Sequence, residues 1–195
     1  MGGHAGGAVA SKVVVDAFLK AIEGGKSLTD GLTAANDAVR AKAAGDAKLA
    51  GMGSTLAAVR VKGVEIEWIS VGDSPLYLLF GGKIERLNAD HSMAPQIDAL
   101  VSRGVISAEE GAAHPGRHTL REAVMGEPLT LIDEGTRRMV PGATLLLCSD
   151  GVETLAHERI ATASRLSVSG LIDAVLAARR QHQDNVTVVK LEQVS

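Results

Sequence analysis

The sequence has 195 residues, a length typical of one domain. Hydrophobic residues make up 46% and charged residues 22%, as in globular proteins, and no apolar run reaches the roughly 18 residues that a membrane span requires. Scattered basic residues, a net charge of −3 and an aromatic content of 2% argue against a nucleic-acid-binding surface. Cys148 is the single cysteine, which excludes a disulfide framework. We therefore expect a cytoplasmic globular protein that binds neither nucleic acid nor membranes.

The first half of the chain changes from a helical to a strand pattern. Apolar residues at helical spacing predict helices over residues 8–23 and 28–44, and Ser27 with Asp30 forms the pattern of a capping box at the start of the second. Beyond the glycines at 51 and 53 the apolar period changes to two, which predicts antiparallel strands over residues 55–61, 64–71, 76–80 and 83–87.

The second half of the chain begins with short helical patterns and returns to strands. Helices are predicted over residues 96–103 and 107–113, the latter capped by Ser107, with a further short helix from about residue 119. Strand signals follow over residues 129–139, 144–148 and 186–191, and helical segments at 152–155 and 169–180 separate the last two strands.

Three aspartates stand at the ends of predicted strands. Asp73 and Asp150 each follow a strand, and Asp184 shortly precedes the final strand. Carboxylates held in such places can converge on Mg²⁺ or Mn²⁺, which prefer oxygen ligands. Aspartate at a strand end is also a common turn residue whose side chain caps the local backbone. The residues alone leave both interpretations open.

Several hydrolase chemistries lack their motifs. A cysteine phosphatase needs an arginine six residues after its nucleophile, where this chain has Thr154 after Cys148. An aspartyl-phosphate enzyme needs Asp-x-Asp, which neither Asp73 nor Asp150 begins. The sequence also contains neither a Gly-x-Ser-x-Gly nucleophile elbow nor a P-loop.

An ordered set of short motifs resembles the bacterial PP2C-type (PPM) serine/threonine protein phosphatases. The chain starts with Met-Gly-Gly-His-Ala-Gly-Gly, similar to the second half of that family's Asp-Gly-Met-Gly-Gly-His motif. The following motifs occur in the family's order: Gly-Met-Gly-Ser-Thr at 51–55, Ile-Ser-Val-Gly-Asp-Ser at 69–74, Asp-His-Ser at 90–92, Leu-Leu-Leu-Cys-Ser-Asp-Gly-Val at 145–152 and Asp-Asn-Val-Thr-Val-Val at 184–189. The resemblance covers essentially the whole chain.

The resemblance implies an α+β fold: a PP2C-like sandwich of two antiparallel β-sheets flanked by α-helices, missing its first strands. Residues 1–195 would form a single phosphatase domain, incomplete at the N-terminus. Residues 91–125 would be a flap-like insert near the active-site cleft.

The activity implied by the resemblance is hydrolysis of phosphoserine and phosphothreonine in proteins by a metal-activated water. Two Mg²⁺ or Mn²⁺ ions are expected, with a third, weaker site. By motif, Asp150 and Asp184 match metal ligands and Asp73 matches the residue of the third site, while Gly151 and Asn185 support the metal site. The implied partner is a phosphoprotein substrate that a serine/threonine kinase has phosphorylated.

His114 and Arg117 lie in the flap segment around a proline. As cationic or hydrogen-bonding side chains they could contact the substrate phosphate. Polar residues beside a proline also form ordinary solvated turns. Both interpretations stay open at this stage.

The sequence departs from the family pattern at its beginning. The upstream phosphate-binding arginine and the Asp-Gly pair whose aspartate bridges the metals are not in the sequence, so none of the family's upstream catalytic residues is retained. One explanation is a chain assigned to start at an internal methionine, and the other is a genuine short form. A non-catalytic phosphoprotein-binding or regulatory module is the alternative to an active phosphatase.

Overall fold

The computed structural model describes residues 6–178 and 185–193. It shows an α+β fold, as predicted. Within these residues the helices are α1 (Gly7–Glu23), α2 (Leu28–Ala44), α3 (Ala94–Ser102), α4 (Ala108–Ala112), α5 (His157–Leu166) and α6 (Val168–Ala177). The strands are β1 (Leu56–Lys62), β2 (Glu65–Val71), β3 (Leu76–Phe80), β4 (Lys83–Arg86), β5 (Asp133–Arg138), β6 (Thr144–Cys148) and β7 (Val188–Glu192).

Two helices begin at the capping boxes that the sequence predicts. Ser27 accepts a hydrogen bond from the Asp30 backbone N–H, and the Asp30 carboxylate accepts one from the Ser27 N–H. Ser107 and Glu110 make the same reciprocal pair at the start of α4. Each box satisfies two backbone donors that the first helical turn leaves without partners.

The strands form two sheets. One contains β1, β2 and β5 in that spatial order, and the other contains β4, β3, β6 and β7. All three pairings in the four-stranded sheet are antiparallel. Strands β3 and β6 lie in its centre, which explains their nearly continuous apolar sequences.

The chain divides into two compact units, each built from segments far apart in sequence. Unit 1 comprises the chain up to Leu56 together with Ile69–Asp73 and Asp90–Asp133. Unit 2 comprises Ala57–Trp68, Ser74–Ala89 and the chain from Glu134 onward. The predicted flap segment, with α3 and α4, is therefore part of unit 1, whereas unit 2 contains the larger part of both sheets.

Unit 2 has apolar layers on both faces of its four-stranded sheet. Successive side chains along β3 and β6 point to opposite faces. One face packs on the three-stranded sheet through a buried cluster of Ile66, Leu76, Leu78, Met139, Ala143 and Leu145. The other face packs under α5 and α6 through Tyr77, Leu79, Leu146, Cys148, Ile160, Ala161, Leu171 and Val175. Strand β6 thus contributes buried side chains to both layers.

Some predicted elements differ from the structure. Helix α5 has no counterpart in the sequence prediction, and the predicted helical segment at 152–155 is part of a 3₁₀ turn over Asp150–Thr154. The short helix predicted from residue 119 is wrong, because Leu120 instead pairs with Ser92 in an isolated β-bridge. Among the residues described, none of the helices is both long enough and apolar enough to span a membrane.

Candidate active site

In unit 2, Asp150 begins the 3₁₀ turn that directly follows β6. The neighbouring Ser149 holds this turn against the segment that leads into β7. Its N–H donates to the Thr187 carbonyl (3.0 Å), and its hydroxyl donates to the Asn185 carbonyl (3.1 Å) while accepting from the Thr187 N–H (2.9 Å). These three hydrogen bonds join the two chain segments in which the sequence predicts metal ligands.

The structure describes three of the four residues that the sequence predicts for this region. Gly151 is buried, and its neighbour Asp150 is half-buried. Asn185 begins the described segment before β7. Asp184 lies outside the described residues. Among residues 6–178 and 185–193, no three or more His, Cys, Asp or Glu side chains cluster as a metal site would require. Asp184 is not among these residues, so the predicted ligand set stays a prediction.

A polar network that the sequence analysis did not predict lies behind the Asp150 turn. Tyr77 on β3 is fully buried, and its hydroxyl donates to the Glu153 carboxylate of the turn (2.8 Å). Arg86 on β4 donates to the same carboxylate oxygen (3.1 Å), and His157 Nε2 is 3.3 Å from the Tyr77 oxygen. The network ties the turn to two strands of the sheet.

Burial and charge act on the titratable groups of this network and on nearby Cys148. Burial, reinforced by the negative charge of Glu153, raises the pKa of the Tyr77 hydroxyl, so Tyr77 remains a hydrogen-bond donor throughout the neutral range. Burial also raises the pKa of the Cys148 thiol to about 12. The thiolate is the nucleophilic form of cysteine, so this residue has a structural role, in agreement with the absence of a cysteine-phosphatase motif.

In unit 1, Asp73 follows β2 and is buried, with 8% of its surface exposed. The preceding Gly72 has φ +104°, and a Cβ there would lie 2.3 Å from Thr55 Cγ2. The Gly72 N–H donates to His91 Nδ1 (3.2 Å), and the His91 N–H donates back to the Gly72 carbonyl (3.1 Å). His91 therefore holds the backbone that carries Asp73.

The protonation state of His91 matters for this contact. Nδ1 accepts a hydrogen bond, which only a neutral imidazole with its proton on Nε2 can do. Burial lowers the pKa of His91, despite the opposing effect of nearby carboxylates on Asp133, Asp90 and Glu122. In the sequence, His91 is recognisable only as part of the Asp-His-Ser motif at 90–92. Its role as an anchor follows from the pairing with Gly72.

The structure places His114 and Arg117 in a turn of unit 1, where both make local contacts. The Arg117 guanidinium donates two hydrogen bonds to the Asp98 carboxylate on α3, at 2.7 and 3.1 Å. His114 Nδ1 accepts from the Gly116 N–H (3.1 Å). A phosphate would have to compete with Asp98 for the arginine fork. Their predicted contact with substrate is untested and stays a prediction.

Comparison with known proteins places the chain in a family. No family model matches the sequence. The serine/threonine phosphatase stp of Listeria monocytogenes is 31% identical over 207 residues, which cover 98% of this chain and 81% of that protein. The crystal structure of the Mycobacterium tuberculosis serine/threonine phosphatase PstP/Ppp superposes with a TM-score of 0.83 at 33% identity, covering 99% of this chain and 86% of that one.

The chain belongs to the PP2C-type serine/threonine protein phosphatase family. The resemblance and the fold class predicted from the motifs are thus confirmed. A further PP2C-type structure, the PstP catalytic domain in complex with two manganese ions, superposes with a TM-score of 0.79 at 30% identity, covering 100% of this chain and 85% of that one. The curated M. tuberculosis protein PstP is longer: this chain is 36% identical to it over 204 residues but spans 38% of its length.

Proposed function

We propose that this PP2C-family chain hydrolyses phosphoserine and phosphothreonine in proteins in a metal-dependent reaction. The observation that carries the proposal is family membership over nearly the whole chain, combined with the three aspartates of the family motifs. Its substrates would be phosphoproteins of the cytoplasm whose phosphate groups come from an opposing serine/threonine kinase.

The chemistry of the donor groups fits a hard divalent cation. Asp150, Asp184 and Asp73 supply carboxylate oxygens, the ligands that Mn²⁺ and Mg²⁺ prefer. Gly151 has no side chain, so its backbone can come close to a bound ion. Asn185 would support the metal site from the segment before β7. We propose Asp150 and Asp184 as ligands of two ions and Asp73 as a ligand of a third, weaker ion. The manganese in the PstP structure supports the choice of metal.

Bound divalent ions would lower the pKa of the attacking water and offset negative charge on the phosphoryl oxygens. The chain's own residues supply a rigid frame for this chemistry. Ser149 fixes the Asp150 turn to the segment before β7, and Glu153 fixes the same turn to Tyr77 and Arg86. We propose His114 and Arg117 as contacts of the substrate phosphate, for which Arg117 would leave Asp98.

The test is Mn²⁺-dependent hydrolysis of a phosphothreonine peptide by this chain and its Asp150→Asn variant. Asp173→Asn is the matched control, because Asp173 is an exposed aspartate of α6 in the same unit. We expect activity that needs Mn²⁺, falls at least about 100-fold in Asp150→Asn and persists in the control. Equal activity of the two variants would refute the role of Asp150.

A second readout separates metal binding from turnover. Ions that bind the native state raise the melting temperature by mass action, so millimolar Mn²⁺ should stabilise the parent chain and the Asp173→Asn control more than Asp150→Asn. Phosphopeptide binding without turnover in the presence of Mn²⁺ would instead support the regulatory module.

A further inference from the structure

A cavity of about 280 Å³ lies in unit 2, between the four-stranded sheet and the C-terminal end of α5. Its walls come from the β3–β4 hairpin, the start of β6, the end of β7 and the last turns of α5. The lining residues that matter for its chemistry are Gly82, Lys83, Thr144, Arg165, Lys190 and Glu192.

This cavity is at the opposite end of the sheet from the Asp150 turn. Thr144 at the start of β6 pairs with Glu192, whereas Cys148 at the other end pairs with Val188. A strand advances roughly 3.3 Å per residue, so the length of β6 separates the cavity from Asp150 by more than ten ångströms. Its residues therefore have no part in the proposed metal site.

Strand pairing explains why a lysine faces this cavity. Lys190 on β7 pairs with Leu146, and Leu146 pairs with Tyr77, so the three side chains share the face covered by the helices. Only 15% of the Lys190 side chain is exposed. Its ammonium group is 2.9 Å from the Glu192 carboxylate, which compensates its charge.

Two further cations line the cavity. Arg165 is in the last turn of α5 beside the hairpin turn, and its Nη2 would lie 3.2 Å from a Cβ built on Gly82. Lys83 begins β4 in the same hairpin and is exposed. Within the part of the chain that the structure describes, neither Arg165 nor Lys83 forms an ion pair. Among the described residues, the walls of the cavity thus contain three cationic side chains and one carboxylate.

The size and charge of the cavity indicate its ligand. Sites for drug-sized molecules start at about 300 Å³, so this volume suits a small ligand. Phosphate oxygens are recognised by guanidinium forks, ammonium groups and hydroxyls. In this cavity Arg165, the two lysines and Thr144 supply these groups. We propose that this cavity binds a phosphate dianion, either inorganic phosphate or the phosphoryl group of a phosphorylated side chain. This inference does not rest on the proposed phosphatase activity.

The proposal can be tested by NMR titration of the ¹⁵N-labelled chain with inorganic phosphate, after a chelator has removed divalent ions. Gly81, Gly82 and Gly142 line the cavity, and their backbone amides serve as reporters. We expect saturable shifts of these amides at millimolar phosphate, weaker at higher ionic strength because exposed charges are screened. Arg165→Gln should raise the Kd about tenfold, the effect of losing one bidentate arginine contact.

Arg159→Gln is the matched control, because Arg159 is an exposed arginine of the same helix that does not line the cavity. It should leave the Kd unchanged. Repeating the titration with phosphothreonine in a short peptide distinguishes the two sources of the phosphate group by their relative affinities. Absence of saturable shifts with either probe, or an equal effect of the two arginine variants, would overturn the proposal. Because no turnover or metal is needed, failure of the phosphatase assay would leave this result interpretable.

Discussion

Replacing Tyr77 by phenylalanine removes one hydroxyl from the network behind the Asp150 turn and leaves the buried ring in place. The Tyr77 hydroxyl is 2.8 Å from the Glu153 carboxylate, and hydrogen bonds to charged groups contribute about 1.5–3 kcal/mol. Glu153 keeps its contact with Arg86, and its side chain is 33% exposed, so water replaces part of the lost interaction. We therefore expect the free energy of unfolding to fall by about 1.5 kcal/mol, at the lower end of that range.

Urea denaturation followed by circular dichroism and by the fluorescence of Trp68 measures this change. Trp68 is the single tryptophan and packs in the cluster between the two sheets, so it reports on another part of unit 2. Coincident transitions from the two probes would justify a two-state analysis. A double-mutant cycle with Glu153→Gln then isolates the pair, for which we expect a coupling of about 1 kcal/mol.

A Tyr77→Phe variant whose free energy of unfolding lies within about 0.3 kcal/mol of the parent's would refute this prediction, because loss of a buried hydrogen bond to a carboxylate costs more than that. Strict additivity of the two single substitutions would also refute it. In that case Tyr77 and Glu153 would contribute independently, and the network would not tie the Asp150 turn to β3.

Three further predictions concern single residues. The His91→Asn variant keeps an acceptor for the Gly72 N–H but has no imidazole to titrate. Because the pKa of His91 is lowered in the folded protein, the parent should lose stability as the pH falls below about 6.5, and the variant should lose less. The free energy of unfolding at several pH values measures this difference. Gly72→Ala should destabilise by about 2–5 kcal/mol through its positive φ and the clash with Thr55, whereas Gly51→Ala, with φ +72° and open space, should cost only about 1–2 kcal/mol in the same denaturation assay. The pKa of the Cys148 thiol is raised to about 12, so at neutral pH this thiol should react with a thiol reagent only when the protein unfolds. The free energy of unfolding should also fall as the pH rises from about 9 toward about 12, because the unfolded chain then loses a proton that the native chain keeps. Modification of the native protein at the rate of a free thiol would contradict the burial of this residue.

Elements with a strong local signal could be predicted from the sequence. Ser27 with Asp30, and Ser107 with Glu110, start helices where the sequence places them, because a capping box involves residues only three apart. Helix α5 was missed because, among its side chains whose burial the structure describes, the buried ones are Ile160, Ala161 and Ser164, and two of these are too small to form a clear apolar stripe. Its place in the fold comes from packing on the sheet.

The sequence by itself determined the family and the fold class, because its ordered short motifs resemble those of the PP2C-type phosphatases. The metal-binding roles of the three aspartates stay predictions. Only the tertiary structure decided which residues support them. Tyr77 and Glu153 are 76 positions apart, and Gly72 and His91 are 19 apart. Local pattern carries no information about such pairs, because strand pairing and layer packing bring them together. The cationic cavity cannot be predicted from local pattern for the same reason. Its lysine and arginine residues come from different elements, which meet only at one end of the folded sheet.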